Sequence, residues 1–148
     1  MVKEIVKDVD FLQQRSDVFE FAGIKDKTID IPADEYLIQD LLDTANYHVD
    51  HCLGLAAIQI GVPKRIIVVK IGSKFKPFIN PVIINRSKET YLVKEGCLSL
   101  EGQREVRRHR TVKVAYTTRN KQVKVETFSG IVAEIIQHEV DHLNGILI

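Results

Sequence analysis

No stretch of about twenty apolar residues occurs in this chain, so a membrane-spanning helix is not expected. An excess of charge of either sign is also missing. The 21 Lys and Arg face 20 Asp and Glu, which argues against a dedicated DNA or RNA binder. Residues 1–8 have charges breaking every apolar run and cannot form the apolar core of a secretory signal. Repeats, low-complexity segments and linkers are lacking too. Cysteine is scarce, with only Cys52 and Cys97. These absences make the cytoplasm the expected compartment, where both thiols stay reduced. A Cys52–Cys97 disulfide is the bland alternative.

What is present fits one α+β domain spanning residues 1–148, long enough to bury about 70% of its unfolded surface. Residues 34–50 read as a helix, with Leu37, Leu41, Ala45 and Val49 recurring every fourth position and Leu42 widening the stripe. Pro32, Asp34 and Glu35 are its start signals. Strand patterns follow. Residues 65–71 are a near-continuous branched apolar run, and 78–85 are another, where Pro81 suggests an edge or an irregular strand. Residues 90–93 are β-like as well. Residues 111–118 alternate, with Val112, Val114 and Tyr116 on one face, and a turn at 119–122 leads into 123–128. A helix then begins near Ser129, a candidate N-cap.

That last helix carries the chemistry. Residues 137–145 read Gln-His-Glu-Val-Asp-His-Leu-Asn-Gly, an H-E-x-x-H motif. His138 and His142 are one helical turn apart and project from the same face, where they can hold one metal ion with Glu139 beside it. Six residues follow His142, so a third ligand is expected upstream, and a thiolate is the strongest candidate. Ile131, Val132, Ile135, Ile136, Val140 and Leu143 make the helix apolar around much of its circumference, which predicts burial against the strands. On this reading the two histidines have no acidic or basic neighbour other than Glu139. Buried without a ligand, they would be costly to desolvate. Asp141 faces away from the ligand pair and suits a supporting or salt-bridge role.

Three segments together resemble the peptide deformylase family. They are Cys52-Leu53-Gly54-Leu55-Ala56-Ala57-Ile58-Gln59, Glu95-Gly96-Cys97-Leu98-Ser99 and the H-E-x-x-H segment at 137–145. The second and third match the family motifs fully, and the first misses one glycine, where Cys52 stands. The resemblance implies small, mostly antiparallel sheets packed around a central C-terminal metal-binding helix. It implies Cys97, His138 and His142 as ligands, Glu139 as the proton carrier, and the Gln59 amide with the Leu98 backbone N–H as oxyanion donors. A position left open for water is the mark of a catalytic site, and the cation lowers that water's pKa. The implied reaction removes the N-formyl group from N-formylmethionyl peptides and releases formate. Ferrous iron is the implied ion, with zinc or nickel as substitutes; thiolate and imidazole donors do not decide among them. Transient contact with the ribosome is a further partner of this class.

Substrate-pocket residues follow from the same resemblance: Leu53, Gly54, Ile131, Ile135 and Arg104. Each has a plainer account. Gly54 admits close backbone approach, the two isoleucines also suit core packing, and Gln59 also suits a structural amide closing a turn. Arg104 also belongs to a basic cluster with Arg107, Arg108 and Arg110, which by default is a solvated face. Glu101 stands where the family commonly has proline. Relatives usually continue beyond the last residues of this chain, so the role of any such tail is not carried over. Two other readings remain beside the deformylase: a deformylase-like protein with altered substrate or activity, and an H-E-x-x-H metallopeptidase.

Overall fold

The computed structural model describes residues 1–21 and 33–147, with side chains omitted at 33–35. Pro32, Asp34 and Glu35, the expected start signals of the first long helix, lie outside the described residues or side chains. The elements run α1 (Val9–Leu12), α2 (Ala33–Tyr47), β1 (Gly54–Ala56), a 3-10 turn (Ala57–Ile60), β2 (Ile66–Ile71) and β3 (Lys74–Arg86). They continue through β4 (Thr90–Cys97), β5 (Leu100–His109), β6 (Thr111–Thr117), β7 (Val123–Ser129) and α3 (Gly130–Leu143). Five strands form an antiparallel sheet in the order β1-β2-β3-β6-β7, and β4 pairs with β5 in a separate ribbon. The class is α+β, as expected.

Strand β2 explains why its run is apolar at every position. Ile67 and Val69 join the core under α3, with Phe78, Val112, Val114, Tyr116, Ile136 and Leu143. Ile66 and Val68 join the opposite core, with Leu37, Ile38, Leu41 and Ala45 of α2. A strand buried on both faces loses the alternation that marks a half-buried one. In β6 the alternation is preserved, and Val112, Val114 and Tyr116 are all buried. Helix α2 stops at Tyr47, so Val49 falls beyond its end and is 38% exposed.

Pro81 does not mark an edge. Strand β3 runs between β2 and β6, and the proline sits in an irregularity where the register shifts between Ile79 and Val82. Asn80 beside it has φ 51°. Its side chain accepts from the Phe19 N–H and donates to the Phe19 carbonyl, both at 2.8 Å. The missing proline donor is thus absorbed at a bulge.

Helix α3 follows β7 directly. Ser129 occupies the N-cap position, but its side chain makes no capping bond; its Oγ lies 3.1 Å from Thr111 Oγ1. At the other end, Arg65 at the head of β2 donates to the Leu143 carbonyl at 2.9 Å and to Asn144 Oδ1 at 2.9 Å. A cation bonded to the last carbonyls suits the negative end of the helix. The helix is thereby fixed against the sheet one residue after His142.

Candidate metal centre

Two elements bring the ligand atoms together. Cys97 ends β4, just before the tight turn into β5, where Cys97 pairs with Leu100. His138 and His142 project from α3 one turn apart, with ring centroids separated by 5.0 Å. The Cys97, His138 and His142 donor atoms all lie within 4.8 Å of one another, the scale set by two metal–ligand bonds of about 2.0–2.3 Å. Both ring nitrogens of His142 are buried without a hydrogen-bond partner, as is Oε1 of Glu139. A buried imidazole with no partner is expensive, and a cation shared with Cys97 and His138 removes that expense. Burial, and then the charge on His138, push His142 down to about 3, so it is a neutral imidazole, the form that ligates.

His138 is set differently. Burial opposes its protonation, yet Glu139, Cys97 and Glu95 together push it up to about 10. The carboxylates gathered near His138 suit a bound cation. Glu95 Oε1 lies 2.8 Å from His138 Nδ1, leaving Nε2 for the metal. Arg108 Nε and Nη2 both donate to the same carboxylate, and Arg108 Nη1 donates to Asp141 Oδ2 at 2.7 Å.

These contacts correct two expectations. The imidazoles have charged neighbours beyond Glu139, because Glu95 arrives from β4. Arg108 is not part of a solvated face; it is 5% exposed and bridges two carboxylates. Asp141 has the salt-bridge role anticipated for it. Arg107 and Arg110 are exposed, and Arg104 is partly buried, with its guanidinium on the Glu101 carbonyl at 3.0 Å. Sequence reasoning missed the Glu95–Arg108 pair because its two members are thirteen residues apart on different strands, which no short motif reports.

A cavity of about 200 Å³ opens at the ligands. Leu53, Gly54, Leu98, Ile131 and Ile135 line it together with Cys97, His138 and the charged side chains Lys94, Glu95, Glu134 and Glu139. Ile131, expected to be buried with the rest of the apolar face of α3, is 55% exposed at the rim, whereas Ile135 is buried. Burial pushes the carboxyl of Glu139 up to about 7. Gln59 is fully buried behind the cavity wall, where its amide donates to Ser99 Oγ at 3.1 Å and its oxygen accepts from the Ala56 N–H at 3.0 Å. Arg104 is not among the lining residues. Cys52 and Cys97 are both free thiols. Cys52 is buried, donates to the Gly54 carbonyl at 3.1 Å, and is pushed up to about 12 by burial and then by Glu139.

Fold and site together bring one cysteine sulfur and two imidazoles close enough to share an ion, beside a carboxyl, on an H-E-x-x-H helix. Comparison with known proteins gives that arrangement its family. The sequence profile of the family described as polypeptide deformylase matches residues 5–148. A peptide deformylase of Clostridium beijerinckii is 45% identical over 148 residues, covering 100% of both chains. Among solved structures, the Met-Ala-Ser-bound class I type b peptide deformylase of Acinetobacter baumannii superposes with a TM-score of 0.85 at 30% identity, covering 99% of this chain and 97% of that one. A peptide deformylase of Thermotoga maritima gives 0.84 at 31% identity, covering 99% of this chain and 95% of that one. The chain belongs to the polypeptide deformylase family.

Proposed function

We propose that this protein is a metal-dependent hydrolase that removes the N-formyl group from the N-terminal formyl-methionine of nascent polypeptides and releases formate. The observation that carries the reading is the convergence of Cys97, His138 and His142 beside the buried Glu139, whose Oε1 has no partner, at a cavity that Cys97, His138 and Glu139 help to line. We take residues 1–148 as one deformylase-like domain working in the cytoplasm. Its partners are N-formylmethionyl peptides, with transient contact at the ribosome and no role for DNA or a membrane. Among the described residues, no helix is long and apolar enough to cross a membrane.

Cys97, His138 and His142 would hold one divalent cation, ferrous iron in the cell with zinc or nickel as substitutes. That cation supplies Lewis acidity toward a water and the formyl carbonyl. Glu139 is placed to accept the water's proton and return it to the leaving amine; an elevated pKa near neutrality suits a group that works in both directions. Glu95 orients His138, and Arg108 keeps Glu95 ionised. In this reading the Leu98 N–H and the Gln59 amide stabilise the developing oxyanion, with Gln59 turning from Ser99 toward the cavity. Leu53, Ile131 and Ile135 receive the first side chain, while Gly54 and Arg104 guide the peptide.

The test is anaerobic hydrolysis of a formyl-Met peptide by protein loaded with Fe(II) or Ni(II), with Cys97→Ala as control. Formate release that disappears in the control supports the enzyme and its thiolate ligand. Bound metal without turnover turns the reading toward a deformylase-like protein of altered activity, for which buried Cys52 is the specific motive. A sharp rise in rate on Cys52→Gly would then locate the defect.

A further inference from the structure

A second opening adjoins the catalytic cavity. It is a groove of about 850 Å³ between residues 2–8 and the far end of α2, where Tyr47 and His48 stand. Leu98 lines both spaces. His51 lines the cavity and His48 the groove, and the His51 N–H donates to the His48 carbonyl at 2.9 Å. The two spaces are thus neighbours across Leu98 and the turn at 48–51. One wall of the groove is preformed: residues 2–8 lie outside any helix or strand but are pinned at two points. The Lys3 N–H donates to Thr44 Oγ1 at 2.9 Å, and the Val6 N–H donates to the Gln59 carbonyl at 2.8 Å. The N–H groups of Val2, Glu4, Ile5 and Lys7 have no partner among the described residues. The opposite wall carries Tyr47, 70% exposed, in a T-shaped contact with His48 at 4.9 Å between ring centroids.

An extended peptide is held by main-chain hydrogen bonds and by apolar or aromatic side chains. This groove offers both, with unpaired donors on one wall and the Tyr47 ring on the other. Selection by charge is not built in, because Lys3 and Lys7 face Glu4 and Asp8, with His48 beside them. We propose that the groove receives the downstream residues of the formylated polypeptide, with Tyr47 as its main contact and little regard to their sequence. The catalytic cavity, about 200 Å³, takes the formylated first residue, and the chain then passes Leu98 into the groove. Such a surface suits substrates that share their first residue and differ in all that follow. This inference rests on the deformylase reading of the neighbouring cavity.

The experiment compares wild type with Tyr47→Ala, both Ni(II)-loaded, on formyl-Met-Ala-Ser and formyl-Met-Ala-Ser-Ala-Ser-Ala-Ser. An extended chain advances about 3.3 Å per residue, so the peptides span about 10 Å and about 23 Å. In wild type the longer peptide should have a kcat/KM about tenfold higher, the range of one pocket contact. The gain should fall mainly on KM, since the contact is remote from the formyl carbon. In Tyr47→Ala the ratio between the two peptides should approach one. Calorimetric binding of the two deformylated peptides should show the same length dependence, and the same loss in Tyr47→Ala, without turnover. Turnover that ignores length in wild type overturns the groove and leaves the deformylase reading intact. A length advantage that survives in Tyr47→Ala overturns the role of Tyr47. Failure to release formate from either peptide, with the length-dependent binding present, overturns the deformylase reading and supports the groove as a peptide site. Absence of both turnover and length-dependent binding overturns both.

Discussion

Glu95 Oε1 and His138 Nδ1 are 2.8 Å apart, across the gap between strand β4 and helix α3. The contact fixes which imidazole nitrogen faces Cys97, and Arg108 holds the other side of the carboxylate, with both partners about 6% exposed. Glu95→Ala should therefore do two things. It should lower metal affinity about 10–100-fold, the usual effect of losing the group that orients a ligand histidine. It should also destabilise the fold by about 3–5 kcal/mol, because Arg108 is left buried with only Asp141. Chelator competition reads the first and urea unfolding the second. An affinity within twofold of wild type would remove Glu95 from the metal site.

Glu95 also predicts acid behaviour. Burial would raise its pKa, but hydrogen bonds from His138 and Arg108 hold it down at about 2, against an ordinary value of 4.5. Between those values the unfolded chain binds a proton that the native state does not, so stability falls as pH falls. The contribution is complete above pH 4.5 and lost as the pH drops through about 2. Urea midpoints of the metal-free proteins should therefore show wild type well above Glu95→Gln at pH 6, with the gap narrowing below pH 4.5. A gap independent of pH would contradict the assignment.

The candidate ligand cluster was legible because helical spacing writes His138 and His142 into five consecutive residues, and the resemblance supplied Cys97. The sheet was legible where burial is one-sided, as in β6, or total, as in β2. Strand β5 was not, for an opposite reason. Its period-two pattern places Arg104, Val106 and Arg108 on the inner side, so the residues turned inward include arginines. A hydrophobicity pattern reads such a segment as a solvated basic cluster. Pro81 left an edge or an irregular strand open, and only the irregularity is found; what decided it, Asn80 holding Phe19, involves residues sixty-one apart in the chain.

Glu139 should separate binding from chemistry. It is buried beside His138, and its Oε1 has no partner in the protein. Glu139→Gln keeps the shape but cannot carry a proton. Metal content should remain that of wild type while kcat falls about 10²–10⁴-fold, the span of a lost general acid–base group. Elemental analysis alongside initial rates distinguishes the cases. Loss of metal in parallel with rate would make Glu139 a structural group.

Gly54 is required by helix packing as well as by any approaching substrate. A Cβ built there would stand 2.5 Å from Ile135 Cγ2, 2.7 Å from Glu139 Oε2 and 3.0 Å from Glu139 Cγ. The side chains it would strike both belong to α3, and one is the proposed proton carrier. Ile135 is buried and cannot swing into solvent, so β1 and α3 must separate or Glu139 must turn. Overpacking of this kind costs about 1–3 kcal/mol. A displacement of about 1 Å at the reacting group lowers the rate about 10²-fold. Gly54→Ala should therefore lose far more activity than stability, with Cys97, His138 and His142 still loaded with metal. Rates, urea midpoints and metal content measured on one preparation decide it. Full activity in that variant would mean that β1 moves freely against the helix, and the tight seat of Glu139 would then have no part in catalysis.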